Sequence, residues 1–164
     1  MKQLILVRHA KSSWDDPNLR DYDRPLNKRG KQAAPLMGTR LQKRNIQPDT
    51  IISSGAKRAF DTALAVCEEI GISKNEIVKN DELYLASPKE ILKTIRAIDP
   101  ESESAVLFGH NPGISEIADF LTDEAPEDMP TGATIIIRFD IDNWKDISKG
   151  LGKTEYYSYP KASE

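Results

Sequence analysis

Cysteine is nearly missing: the chain of 164 residues has only Cys67, which rules out an internal disulfide. Cys67 lies in the helical stretch ALAVCEEIG and reads as a small core residue rather than a reactive thiol. Long apolar runs are missing too. The N-terminus, MKQLILVRHA, has a short apolar run before Arg8 that cannot serve as a signal-peptide core, and no segment approaches the length of a membrane span. There is no excess of positive charge. The 23 basic and 26 acidic residues leave a formal charge of −3, and no basic stripe stands out, which argues against a nucleic-acid partner. Repeats and low-complexity tracts are absent as well. The expectation is a soluble, cytoplasmic protein with a single domain over residues 1–164 and with neither nucleic acid nor membrane as partner. Its 30% charged and 38% hydrophobic residues suit a chain long enough to bury a core.

Apolar runs alternate with helical patterns. Strands are expected at 3–7, 49–54 and 104–109, a short one at 77–79, and closing strands at 132–141 and 153–159. A helix is expected over 28–45, with Ala33, Leu36, Met37 and Leu41 at helical spacing; Pro35 inside it predicts a kink or a late start. A second helix spans 56–70 and closes at Gly71. A third starts at Ser87–Pro88 with Glu90 as capping-box partner, and a fourth starts near Pro112, capped by Asn111. This alternation predicts a three-layer α/β/α sandwich with a mainly parallel central sheet, in which ligands bind at the carboxyl ends of the strands.

Histidine is scarce, and both copies fall where that rule points. His9 follows LILVR and His110 follows AVLFG, each at the end of a buried strand. The strand at 49–54 feeds Arg58, Arg8 precedes His9, and Arg24 sits in the loop DYDRPLNKRG, held by Pro25 and the helix that follows. Two histidines and three arginines at one sheet edge suit a phosphoryl group, because guanidinium forks and helix N-termini donate to its oxygens. An imidazole among guanidinium groups resists protonation, keeps its lone pair near neutral pH, and can attack phosphorus. A metal is disfavoured: arginines crowd the site, and neither histidine motif carries a cysteine or carboxylate at ligand spacing.

Taken together, VRHAKSS, RPLNKRG, SSGAKRAFDTA and FGHNPGIS resemble the histidine phosphatase superfamily, with its phosphoglycerate mutase-like fold, and within it the small branch of the phosphohistidine phosphatase SixA. The motifs occur in the family's order between residues 4 and 122. The resemblance implies that His9 is the nucleophile that becomes phosphorylated and that Arg8 and Arg58 clamp phosphoryl oxygens. His110 would complete the pocket, Arg24 would contribute to the phosphate site, and neither cofactor nor metal is implied. Ala10 stands where the superfamily usually has glycine; alanine keeps the backbone carbonyl that orients the imidazole, provided the local dihedrals suit a Cβ. Glu82, in NDELYLA, resembles the position of the family's proton donor, with Asp81 a second candidate.

The expected function is therefore a metal-independent phosphatase working through phospho-His9, with phosphohistidine on a protein as the favoured substrate. A compact chain leaves little length for a lid, although the loops at 11–23 and 122–132 could form a rim. A phosphomonoesterase for a small phosphate ester is the alternative in the same class, and Glu82 would matter more to it. A mutase is disfavoured because no added basic cluster is visible to hold a second anionic group. From another class, a non-catalytic phosphate-binding interaction module remains, which would be expected to lack His9 or an arginine clamp.

Overall fold

Six strands and four helices account for the architecture of the computed structural model, which describes residues 1–164. In chain order they are β1 (Lys2–Arg8), α1 (Lys28–Lys43), β2 (Thr50–Ser53), α2 (Lys57–Glu69), β3 (Ile77–Lys79), α3 (Pro88–Arg96), β4 (Ser104–Gly109), α4 (Gly113–Leu121), β5 (Thr134–Phe139) and β6 (Lys153–Ser158). The strands form one sheet in the order β3-β2-β4-β1-β5-β6. The first four run parallel, and β5 runs antiparallel to both its neighbours. This is the mixed α/β sandwich that the alternation predicts.

The strands alternate strictly, which makes the layers. In β1, Leu4 and Leu6 join Ile91 and Ile95 of α3 and Ile114 and Ile117 of α4 in one cluster. Ile5 and Val7 point the other way, to Leu41 of α1 and Val66 and Cys67 of α2. Both faces of the sheet are thus covered by helices, as a mainly parallel sheet requires. Cys67 is packed in that second core, and burial pushes its thiol up to about 12, consistent with an inert core residue.

Local signals place most helix ends. Ser87 Oγ accepts from Glu90 N–H at 3.2 Å and Glu90 Oε1 accepts from Ser87 N–H at 3.0 Å, so the capping box at the start of α3 is formed. Pro35 does not delay α1, whose helix begins at Lys28 and runs through it to Lys43. Leu36 departs from the expected helical face: it is 40% exposed, while Met37 and Leu41 are buried. Asn111 lies one residue before the residue that caps α4, yet its Oδ1 still accepts from Ser115 N–H at 3.1 Å. No helix is long and apolar enough to cross a membrane.

Candidate active site

Strand register brings the two histidines together. Arg8 pairs with Gly109 across the β1–β4 ladder, and His9 N–H donates to Gly109 O at 3.0 Å. The next residues on each strand, His9 and His110, consequently lie side by side with ring centroids 5.2 Å apart. Ser54, just past β2, donates its N–H to Phe108 O at 3.0 Å and so joins the same edge.

His9 is oriented by its own backbone neighbour. Its Nδ1 donates to Ala10 O at 2.7 Å, which puts the proton on Nδ1 and leaves the Nε2 lone pair free. Burial brings the imidazole down to about 4, and the charges of Arg58, Arg8 and Arg24 add to the effect against the opposing bond to Ala10. His9 is therefore neutral at pH 7. Ala10 is buried outside the positive-φ region, with its N–H donating to Thr62 Oγ1 at 2.9 Å, so the backbone here accommodates a Cβ.

His110 shares Nε2 with Ser54 Oγ at 2.8 Å. Ser54 Oγ already accepts from Ala56 N–H, so its hydroxyl proton is free to donate to Nε2 and leave Nδ1 as the N–H donor. Burial, reinforced by His9 and Arg58, brings His110 down to about 3. The Tyr84 and His110 rings meet in a T-shaped arrangement, 5.4 Å between centroids.

The arginines are held by acceptors that leave donors to spare. Asp21 is the hub: it takes Arg58 Nη2 at 2.9 Å and Tyr84 Oη at 2.5 Å on Oδ2, and Arg24 Nε at 3.1 Å on Oδ1. Its backbone carbonyl accepts Arg58 Nη1 at 2.7 Å. Burial raises the Asp21 carboxyl, but the hydrogen bonds from Tyr84, Arg58 and Arg24 outweigh it and hold the group at about 2. Arg24 also donates from Nη1 to Ser12 Oγ at 2.9 Å, and the Trp14 ring lies 3.5 Å from its guanidinium carbon. Arg8 donates to Met129 O at 2.9 Å, the same carbonyl that accepts Asn111 Nδ2 at 3.0 Å.

A cavity of about 540 Å³ opens over this edge and is lined by Arg8, His9, Arg24, Arg58, His110 and Asn111, among others. Three buried side-chain nitrogens have no partner anywhere in the protein: Arg8 Nε, Arg58 Nε and His110 Nδ1. All belong to residues lining this cavity. Unpaired buried polar atoms are rare and expensive, and finding three of them in one cluster of cavity-lining residues marks that cluster as one not built for stability alone. No group of three His, Cys, Asp or Glu side chains converges in metal-binding geometry.

Five of the candidate residues therefore meet around one cavity, and Glu82 and Asp81 do not line it. Glu82 is exposed in a short 3₁₀ turn and does not line the cavity; its neighbour Leu85 does. Asp81 accepts from Gly55 N–H at 3.0 Å and from Tyr22 Oη at 2.7 Å, a structural brace on the β2–α2 turn. The one carboxylate on the cavity wall is Asp15, from a rim formed by the loop at 11–23. Asp21, Ser54 and Tyr84 escaped the sequence reading. Only Asp21 had a signal, standing three residues before Arg24 in DYDR.

The family model of the histidine phosphatase superfamily, branch 1, matches residues 4–85, half of the chain. The chain belongs to the histidine phosphatase superfamily. It is an enzyme of that phosphatase family. The match includes His9, Arg8, Arg24 and Arg58 and ends before His110, whose place rests on the geometry above. Among solved structures, it is similar to one assigned to phosphohistidine phosphatase SixA from Agrobacterium tumefaciens, with 29% identity, a TM-score of 0.83, and 97% and 98% of the two chains covered. The fold is thus phosphoglycerate mutase-like. An uncharacterised protein of Mycobacterium tuberculosis is 28% identical over 165 residues, covering 94% of this chain and 100% of its own. Phosphoserine phosphatase 1 of Hydrogenobacter thermophilus is 40% identical over 88 residues, 51% of this chain and 38% of that one.

Proposed function

We propose that this superfamily member is a phosphatase that works through a phosphohistidine intermediate on His9 and removes phosphate from phosphohistidine on a protein. The observation that carries the reading is the gathering of Arg8, Arg24, Arg58 and His110 around one cavity with a neutral His9 whose Nε2 is free. In the first step the Nε2 lone pair forms a bond to phosphorus while the P–N bond of the substrate breaks, its electron pair staying on the substrate ring, whose other nitrogen carries a proton so that it departs as neutral imidazole. Arg8, Arg58 and His110 hold the equatorial oxygens as their charge builds, and Arg24 adds positive charge at the rim. In the second step water attacks phosphorus in line, the P–Nε2 bond breaks, and its electron pair returns to His9.

The substrate assignment is supported by what lies outside the cavity. Glu82 is exposed and does not line the cavity, and a phosphoramidate needs a proton on its leaving group less than an ester does. The likeness to the SixA structure points the same way. Asp15, on the cavity wall, favours a second reading in which a small phosphate ester is hydrolysed with this carboxyl as donor.

Brief incubation with a labelled phosphoryl donor is expected to leave an acid-labile, base-stable adduct on His9. His9→Ala is expected to abolish the adduct and to lower kcat by more than about a thousandfold. Normal turnover by that variant would remove the mechanism. In the wild type, kcat/KM for a phosphohistidine protein is expected to exceed that for a panel of phosphate esters; the reverse order would select the ester reading.

A further inference from the structure

A second depression, of about 420 Å³, lies beside the catalytic cavity and shares Lys11 and Thr131 with it. One wall is a face of α1, where Arg29, Gln32, Ala33 and Leu36 follow one another at helical spacing. The opposite wall is the segment Tyr159–Lys161, beyond β6. Three cations, Lys11, Arg29 and Lys161, line the groove and no aspartate or glutamate does, on a protein whose formal charge is −3. The apolar part is the exposed flank of Leu36 and the Tyr159 ring, 40% and 37% accessible. The basic cluster that the sequence seemed to lack is assembled here from residues far apart in the chain.

Both walls are held in place. Arg40 of α1 donates from Nη1 to Tyr159 O at 2.8 Å and from Nη2 to Ala162 O at 2.8 Å, tying the C-terminal segment alongside the helix. Gly132 lies at φ +79°, and a Cβ there would press on Pro160 Cγ at 2.8 Å, so that glycine allows the segment to close on Thr131. Lys11 O accepts from Asn27 N–H at 2.9 Å, which fixes the boundary between groove and cavity to the start of α1.

We infer that this groove binds an acidic segment of the phosphorylated protein, seating an apolar side chain on Leu36 while Arg29 and Lys161 take its carboxylates. The inference rests on the phosphatase reading for its purpose. The occupant follows from charge complementarity, from the apolar floor, and from continuity with the cavity through Lys11. A small molecule bearing a second phosphate would use the cations and leave Leu36 and Tyr159 idle.

The test uses the full chain and a fluorescent, unphosphorylated peptide carrying several Glu residues around one Leu, so that binding is read without catalysis. Anisotropy is expected to show saturable binding that weakens with salt, whereas a peptide with Lys in place of Glu does not bind. Arg29→Glu with Lys161→Glu is expected to weaken the acidic peptide about tenfold. Leu36→Asp is expected to weaken it while leaving the affinity of inorganic phosphate for the catalytic cavity as it was. Equal binding of acidic and basic peptides, or an unchanged affinity after charge reversal, would overturn the inference. So would displacement of the peptide by a small bisphosphate whose own binding ignores Leu36→Asp. Absence of turnover on phosphohistidine substrates would count against the phosphatase reading alone, since the peptide measurement involves no chemistry.

Discussion

Asp21 does not itself line the cavity, yet its carboxylate holds Arg58, Arg24 and Tyr84 at once. Replacing it with asparagine keeps the shape and removes the charge, so both guanidinium groups lose their shared anchor. Asp21→Asn is expected to lower kcat/KM by about 10- to 100-fold and to weaken inhibition by inorganic phosphate, with retained secondary structure by circular dichroism. A variant with wild-type phosphate affinity would show that the arginines are positioned without Asp21. The contrast with Glu82 is instructive. Both carboxylates stand in short 3₁₀ turns, and the resemblance nominates Glu82 because its position matches that of the family's proton donor. The Asn80 side chain accepts from Glu82 N–H at 2.9 Å, in a turn that leaves Glu82 exposed and off the cavity wall.

At the scale of elements, the β1–α1 connection does the most positioning. Ser13 N–H donates to Pro25 O at 2.8 Å and Asn27 N–H to Lys11 O at 2.9 Å, so the loop doubles back and presents Arg24 beside Ser12. It closes against α1 at Gly30, where any Cβ would collide with the carbonyl oxygen of Lys11. Because the obstacle is backbone, the side chain cannot be accommodated by a rotamer change. Gly30→Ala is expected to cost roughly 1–3 kcal/mol, read from urea unfolding, and to lower kcat/KM with it because His9 stands two residues before Lys11. A fully stable and active variant would mean that α1 can shift freely. The elements themselves were legible because their signals are local: alternation in β1 and β4, the Ser87–Glu90 box, and Gly71 at φ +80° after α2. Leu36 was misplaced because helical spacing names a face without saying what covers it.

The molecule as a whole buries two neutral histidines at the carboxyl edge of its sheet. Their folded values, about 4 and about 3, lie below the ordinary value of 6.5, so the unfolded chain takes up protons first as pH falls. Stability is therefore full above pH 6.5 and declines as acid is added, down to the folded values. Each histidine is expected to remove roughly 2 kcal/mol between pH 7.5 and 5, and urea midpoints at the two pH values measure it. An unchanged midpoint would mean that the histidines titrate normally in the folded protein. Asp21 adds its own loss only below its usual carboxylate range, where it too is depressed. By itself, the order of residues determined the layered α/β architecture and the placement of both histidines at strand ends, because hydrophobic period, caps and strand ends are written in short stretches. Only the tertiary structure decided that Arg8 pairs with Gly109, that Asp21 joins three side chains, that Glu82 stays outside, and that Lys11, Arg29 and Lys161 line one groove. Those outcomes depend on register and on hydrogen bonds between residues remote in the chain, which no local pattern encodes.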